Sequence, residues 1–198
     1  DALPIFKQRR SVERNVFLVK NVIAELKEGK QVNVNNVIAL VSNVIEDLET
    51  LNELNLNLPE GVTEEQKESA GVLENAVDSL HLFYRAIRAY YAAESYLQNQ
   101  RFDYAATLCL FANQILEELE GADPAVSLFD EKEEEVVQLA IDLGMKKEVE
   151  MLSCRIKAEA VLAASSQKEG GAMRGSLNEH LDERVVPNAK GQIGRAHV

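Results

Sequence analysis

Histidine and cysteine are the side chains that proteins use most often to bind transition metals or to act as nucleophiles. The sequence contains three histidines and two cysteines. His81, His180 and His197 are far apart, and none has a second histidine, cysteine or carboxylate at a zinc-ligand spacing. Cys109 and Cys154 have no CxxC partner, so both are expected to be small buried side chains. These residues predict neither a metal site nor a redox pair.

Nucleotide-binding and catalytic motifs are also missing. The sequence has no GxxxxGKS/T loop and no GxGxxG turn, and its one Gly-Gly pair lies in a polar stretch with no strand before it. Carboxylates are plentiful, but they fall mostly on polar helix faces, whereas a catalytic pair needs burial to shift its pKa. The sequence therefore predicts a protein that is not an enzyme and has no cofactor.

The one basic cluster lies near the start of the sequence, at Lys7, Arg9, Arg10 and Arg14. On a helix, Lys7, Arg10 and Arg14 share one side, apart from the apolar stripe. They could contact RNA phosphates or an acidic partner; alternatively they could simply form an exposed face, or they could pair with acidic residues in the middle of the chain. We favour the exposed face, because RNA recognition also uses aromatic rings and none is expected to be exposed among these charges.

Aromatic residues are dense between residues 83 and 96, where they alternate with alanines. Large side chains against small ones are typical of packed helix pairs, so this pattern favours a buried core. The alternative is a peptide-binding groove lined by Tyr90, Tyr91 and Tyr96, which would leave these rings exposed.

Helices must position all of these residues. Apolar residues recur every three or four positions, few segments alternate apolar and polar residues, and proline occurs four times. The pattern predicts an all-α fold of antiparallel hairpins in an α-solenoid arrangement like that of tetratricopeptide (TPR) repeats. About six helices are expected, at residues 4–27, 34–54, 64–98, 102–120, 129–143 and 146–164.

The third and fourth predicted helices fit one TPR-type hairpin. Ala93 takes the small position of the first helix, Tyr96 the aromatic position, Phe102 the turn, and Ala105 and Ala112 the small positions of the second helix. The sequence shows no second copy at a 34-residue period. A single repeat therefore indicates how these two helices pack together. It is only a weak indication that the chain contains a peptide-binding array of repeats.

The composition changes after residue 165, where half of the ten glycines occur. This predicts two parts: a helical TPR-like scaffold domain over residues 1–165 and a flexible or extended tail over residues 166–198. Within the tail, only residues 176–184 are expected to form a short helix.

Acidic residues outnumber basic residues by 33 to 21. The excess lies in residues 31–150, which carry 24 acidic and 7 basic side chains. A segment this negative repels nucleic acid, because affinity for RNA and DNA comes largely from neutralising phosphates. With no membrane span or signal peptide in the pattern and only two cysteines, the sequence predicts a cytoplasmic protein with no direct membrane insertion.

The stretch from Tyr84 to Tyr96, read as YRAIRAYYAAESY, resembles the family of the sixty-eight-kilodalton subunit of the eukaryotic signal recognition particle. Other features follow in the family's order over residues 11–164. They are Ser11, Glu13, Arg14 and Asn15 in an early helix, Leu48, Leu51, Pro59 and Glu60 in a leucine-rich helix and acidic loop, Phe102 and Ala105, and then Lys157, Ala158, Ala160 and Val161.

This resemblance implies that the chain is a fragment, the central helical scaffold of such a subunit. The family's RNA-binding domain would precede it, and the segment that binds the seventy-two-kilodalton subunit would follow it. The whole protein would help to assemble the ribonucleoprotein that targets ribosome–nascent chain complexes to the endoplasmic reticulum. None of the family's RNA-contacting residues can be carried over to this sequence.

Overall fold

The computed structural model describes residues 3–57, 63–120 and 144–185, with side chains in these ranges between residues 4 and 166. Within these ranges the regular structure is entirely helical, and no strand occurs. The described helices are α1 (Leu3–Lys27), α2 (Val34–Leu56), α3 (Glu64–Gln98), α4 (Phe102–Glu120) and α5 (Met145–Val185). The all-α class predicted from the sequence is confirmed.

The first four helices lie where the apolar spacing predicts them, within two residues at each end. The helix expected over residues 129–143 lies outside the described residues, so five of the six expected helices are seen. The last helix begins next to its expected start but continues to Val185, whereas the sequence predicts its end near Ala164. The short helix expected over residues 176–184 is therefore part of α5.

The length of α5 has a simple physical reason. Glycine inside a helix costs about 1 kcal/mol relative to alanine, so glycines weaken a helix without ending it. Proline ends helices more strongly, and the first proline after α5 begins is Pro187. The expectation of extended chain is therefore wrong for residues 166–185. The chain divides into compact units at residues 157 and 158, before the predicted boundary at 165. Flexibility of the tail stays a prediction.

Local hydrogen bonds set the ends of the helices. The side chains of Thr63 and Gln66 form the predicted capping box at the start of α3, with N···O distances of 3.3 and 2.9 Å. Gly29 and Gln100 follow α1 and α3 in the left-handed conformation, with φ of 77° and 57°. Each supports a Schellman-type turn that satisfies the last carbonyls of its helix.

A carboxylate on α2 holds α1 in place. Asp47 accepts hydrogen bonds from the side chains of Gln8 at 3.0 Å, Ser11 at 2.8 Å and Asn15 at 2.7 Å. These three donors lie on successive turns of α1, and Asn15 is buried. Each of the two helices also contributes a stripe of buried apolar residues. These are Val12, Val16, Val19 and Ile23 of α1, and Val37, Val41, Val44, Ile45, Leu48 and Leu51 of α2.

Alanines line the contact between α3 and α4. Ala86 and Ala93 of α3 and Ala105 and Ala112 of α4 are completely buried. Side chains this small allow two helix backbones to approach closely, and the space around them is filled by larger neighbours. The predicted TPR-type small positions are therefore at the packed seam of these two helices.

The first turns of α5 complete the core of residues 1–157. Val149, Leu152 and Ile156 are buried in the same apolar cluster as the other helices. Ion pairs lie around this contact: Lys146 with Glu120 of α4 at 2.8 Å, Arg155 with Glu94 of α3 at 2.9 Å and Lys27 of α1 with Glu148 at 3.4 Å. The start of α5 thus contacts three of the preceding helices.

We expect Asp47→Ala to destabilise the protein, because Asn15 and its neighbours would lose their shared acceptor inside the contact. Leaving buried polar groups without partners costs about 1–3 kcal/mol. Urea unfolding followed by circular dichroism measures the change. Glu68→Ala, which removes an exposed acidic residue of α3, is the matched control and should change stability by less than about 0.5 kcal/mol. Equal unfolding midpoints for the two variants would contradict the role given to Asp47.

Ala93→Leu tests the seam between α3 and α4. A larger side chain at a fully buried contact must displace a backbone, and overpacking of this kind costs about 1–3 kcal/mol. Ala106→Leu adds the same atoms at an exposed position of α4 and should leave the midpoint of urea unfolding nearly unchanged. A wild-type midpoint for Ala93→Leu would show that the two helices do not approach closely at this position.

Candidate partner-binding surfaces

Tyr90 and Tyr91 are adjacent on α3 but have different surroundings. Tyr91 is buried, with 7% of its surface exposed, whereas Tyr90 is half-buried against the core. Their rings meet edge to face, with centroids 5.0 Å apart and planes at 83°. Edge-to-face contact is a favourable arrangement of two aromatic rings, so the pair supports the packing of α3.

A cleft of about 390 Å³ opens beside Tyr90, between α3 and the start of α5. Its walls include Glu94 of α3 and Glu148, Met151 and Arg155 of α5. The Arg155 guanidinium contacts the Glu94 carboxylate through two nitrogens, at 2.9 and 3.3 Å. The cleft therefore combines one tyrosine ring with a carboxylate–guanidinium pair.

The two tyrosine hydroxyls are held in the neutral form. Burial, followed by the negative charges of Glu148 and Glu94, raises the pKa of Tyr91 to about 12. Burial also raises the pKa of Tyr90 well above its usual value, helped by the negative charges of Glu94 and Glu148. Neutral phenols of this kind can donate hydrogen bonds to a ligand but are poor nucleophiles.

Tyr96 lies on a different part of α3. It is 39% exposed and stacks on Tyr104 of α4, with ring centroids 5.4 Å apart and planes at 18°. The Arg101 guanidinium lies 4.7 Å from the Tyr104 ring centroid, within the range of a cation–π contact. The expectation that every aromatic residue of this stretch belongs to the core is wrong for Tyr96, because its position faces the outer edge of the α3–α4 hairpin.

The three tyrosines of the hypothetical peptide groove thus differ in exposure and place. Tyr90 lines the cleft beside α5, Tyr91 is buried behind it, and Tyr96 contributes to an exposed aromatic surface. At about 100° per residue, Tyr96 lies about 120° around α3 from Tyr90. Of the three, Tyr90 and Tyr96 are accessible to a ligand, and they are on separate surfaces.

The two cysteines differ in their exposure to solvent. Cys109 is buried, and burial followed by the charge of Glu94 raises the pKa of its thiol to about 11. Cys154 is exposed, so the expectation that both cysteines are buried is wrong for this residue. Its position on α5 lies two residues beyond Leu152, away from the apolar stripe. Both line a cleft of about 570 Å³ between α4 and α5.

The basic cluster lies on the outward face of α1. Lys7, Arg10 and Arg14 are exposed, as the helical spacing predicts, and none of them forms an ion pair with another described residue. Arg9 differs, because its guanidinium lies 4.0 Å from the Glu13 carboxylate. The alternative in which the three cations pair with acidic residues of the chain finds no support within the described ranges.

Exposed aromatic rings accompany these cations, contrary to expectation. Phe6 and Phe17 of α1 are 61% and 63% exposed. Sequence reasoning missed them because phenylalanine usually belongs to a core. A helical projection contains the signal, since both positions lie about 120° around α1 from the mean direction of Val12, Val16 and Val19.

Within the described residues, no three or more histidine, cysteine or acidic side chains come together as a metal site. None of the described helices combines the length and the hydrophobicity that crossing a bilayer requires. Comparisons of the chain with protein-family models, with curated proteins and with solved structures found no match. Its possible functions must therefore be argued from its own surfaces.

The raised pKa values predict a loss of stability at high pH. The Tyr91 pKa is about 12 in the folded protein and about 10 for an ordinary tyrosine, so its contribution is complete below pH 10. That contribution is lost as the pH rises from 10 to 12, because the unfolded chain releases the proton first. Absorbance at 295 nm should show late-ionising tyrosines, and Tyr91→Phe should remove one of them while Tyr90 remains. Identical titrations for the wild type and Tyr91→Phe would contradict the prediction.

Proposed function

We propose that this chain is a noncatalytic helical scaffold segment of a signal recognition particle subunit. In this role it supports assembly of the ribonucleoprotein that targets ribosome–nascent chain complexes to the endoplasmic reticulum. The proposal includes a TPR-like α-solenoid arrangement of its helical hairpins and a cytoplasmic location. It rests on the ordered resemblance over residues 11–164 and on the structural roles that several of the resembling residues have here.

The observation that carries the scaffold role is the burial of the alanine-lined seam together with its aromatic neighbours. Ala93 and Ala105 are completely buried, and Tyr84 and Tyr91 have at most 7% of their surfaces exposed. These residues belong to the stretches that resemble the signal recognition particle family. Buried residues of this kind stabilise the packing of the helices, and a stable helical framework is what a scaffold provides to its partners.

The early resembling residues also have a structural use. Ser11 and Asn15 bind Asp47 of α2, and Glu13 lies beside Arg9. A motif that is explained by contacts within the fold supports a scaffold rather than a catalytic site. In this proposal, the particle's RNA is bound by a preceding domain, and the seventy-two-kilodalton subunit is bound by a region outside this sequence.

The second candidate function is a free-standing TPR-like adaptor that binds peptides or other proteins. The exposed Tyr96–Tyr104 stack favours it, because aromatic rings beside an arginine are common where proteins bind partners. The burial of Tyr91 counts against a single groove formed by all three tyrosines. Such an adaptor would bind its partners without any association with RNA.

Immunoprecipitation of the whole protein tests the two candidates. Antibodies raised against residues 3–120 should recover the signal recognition particle RNA and the seventy-two-kilodalton subunit from cytosol, and excess purified chain should block this recovery. Recovery of protein partners without this RNA would contradict the scaffold proposal and favour the adaptor. Ribonuclease treatment before precipitation separates partners that bind protein from partners held only through RNA.

A further inference from the structure

The outward face of α1 combines aromatic rings and cations in one stripe. Phe6, Arg10, Arg14 and Phe17 follow one another at spacings of three or four residues, and Lys7 lies between them on the same side. We call these five residues the α1 stripe. At 1.5 Å per residue, its two rings lie about 16 Å apart along the helix, which is about three turns.

Exposure distinguishes this stripe from an ordinary polar helix face. Both rings have more than 60% of their surfaces exposed, at 61% for Phe6 and 63% for Phe17. A single exposed ring is common on a protein surface, but two rings that bracket three cations form a continuous surface. Lys7, Arg10 and Arg14 have no ion-pair partner among the residues that the structure describes.

The composition of the α1 stripe indicates what it can bind. Arginine and aromatic residues are enriched where proteins contribute most of their binding energy. Three unpaired cations can bind carboxylates or phosphates, and two exposed rings can pack on apolar side chains or bases. A helix that presents apolar residues along one side and carboxylates beside them satisfies both requirements at the spacing of the stripe.

We propose that the α1 stripe binds an acidic amphipathic helix of a protein partner. Phe6 and Phe17 cover apolar side chains about three turns apart on that helix, and Arg10, Arg14 and Lys7 pair with its carboxylates. The proposal stands on α1 alone and does not depend on membership of the signal recognition particle.

Charge favours this partner over nucleic acid. The whole chain has a net charge of −12, and the excess of acidic residues lies outside α1. RNA carries a phosphate at every nucleotide and is repelled over long range, whereas an acidic helix carries fewer charges and adds apolar contact with the rings. The electrostatic complementarity that we propose is local. It joins the cations on the outward face of α1 to a few carboxylates of the partner helix that face them.

Fluorescence anisotropy with a synthetic peptide tests the proposal. The probe is a labelled helix of about four turns, with leucines at every third or fourth position and glutamates beside them. The matched peptide has glutamine in place of every glutamate. We expect the acidic peptide to bind at least about tenfold more tightly than the glutamine peptide, and to weaken as salt rises from about 50 to 300 mM.

Paired variants locate the binding surface. Arg10→Glu with Arg14→Glu, and separately Phe6→Ala with Phe17→Ala, should each weaken binding of the acidic peptide at least about tenfold. Arg9→Ala lies beside the stripe and should change the affinity less than about twofold. These side chains are exposed, so unchanged circular dichroism and urea midpoints should show that the variants remain folded.

Three results would overturn the proposal. The first is equal affinity for the two peptides, or binding that the charge-reversal variant leaves unchanged. The second is tighter binding of single-stranded RNA than of the acidic peptide, lost with the same variants, which would make RNA the occupant. The third is concentration-dependent self-association in light scattering that the same variants abolish, which would make a second copy of the chain the occupant.

Discussion

The packing of the helices in residues 1–157 depends on the close approach of α3 and α4. Fully buried alanines at Ala86, Ala93, Ala105 and Ala112 let the two helices lie against each other, and we expect a larger side chain there to move a backbone. α3 also packs on α2, and its Glu94 binds Arg155 of α5. The spacing at the alanine seam therefore influences where α5 and the cleft beside Tyr90 can lie.

A second constraint is the direction in which α1 faces. An apolar stripe alone permits some rotation of a helix about its axis, whereas hydrogen bonds are directional. Asp47 binds side chains on three successive turns of α1, and this sets the rotation. The same rotation turns Phe6, Arg10 and Phe17 outward. A buried polar contact on one side of the helix thus determines which residues are available to a partner on the other.

Charged residues have two separate roles in this protein. The ion pairs of Lys27, Lys146 and Arg155 lie at the surface, where each contributes at most about 1 kcal/mol, so they orient α5 more than they stabilise it. The cations of the α1 stripe have no such partner among the described residues and are available for binding. Negative charge near Tyr90 and Tyr91 acts together with burial to keep both phenols neutral at ordinary pH.

The sequence by itself determined the helical class, the ends of the first four helices, the capping box at Thr63 and the small positions of the α3–α4 seam. Each follows from interactions between residues a few positions apart, which a linear pattern contains. The prediction for residues 166–185 relied on their glycine content. The helix continues through these glycines, because glycine weakens helical hydrogen bonding without preventing it. Only the tertiary structure decided that Asp47 meets Asn15, that Tyr91 is buried while Tyr96 is not, that Cys154 is exposed, and that Phe6 and Phe17 accompany the basic cluster. These outcomes depend on which helix covers which face, and such contacts join residues too far apart in sequence for any local periodicity to specify.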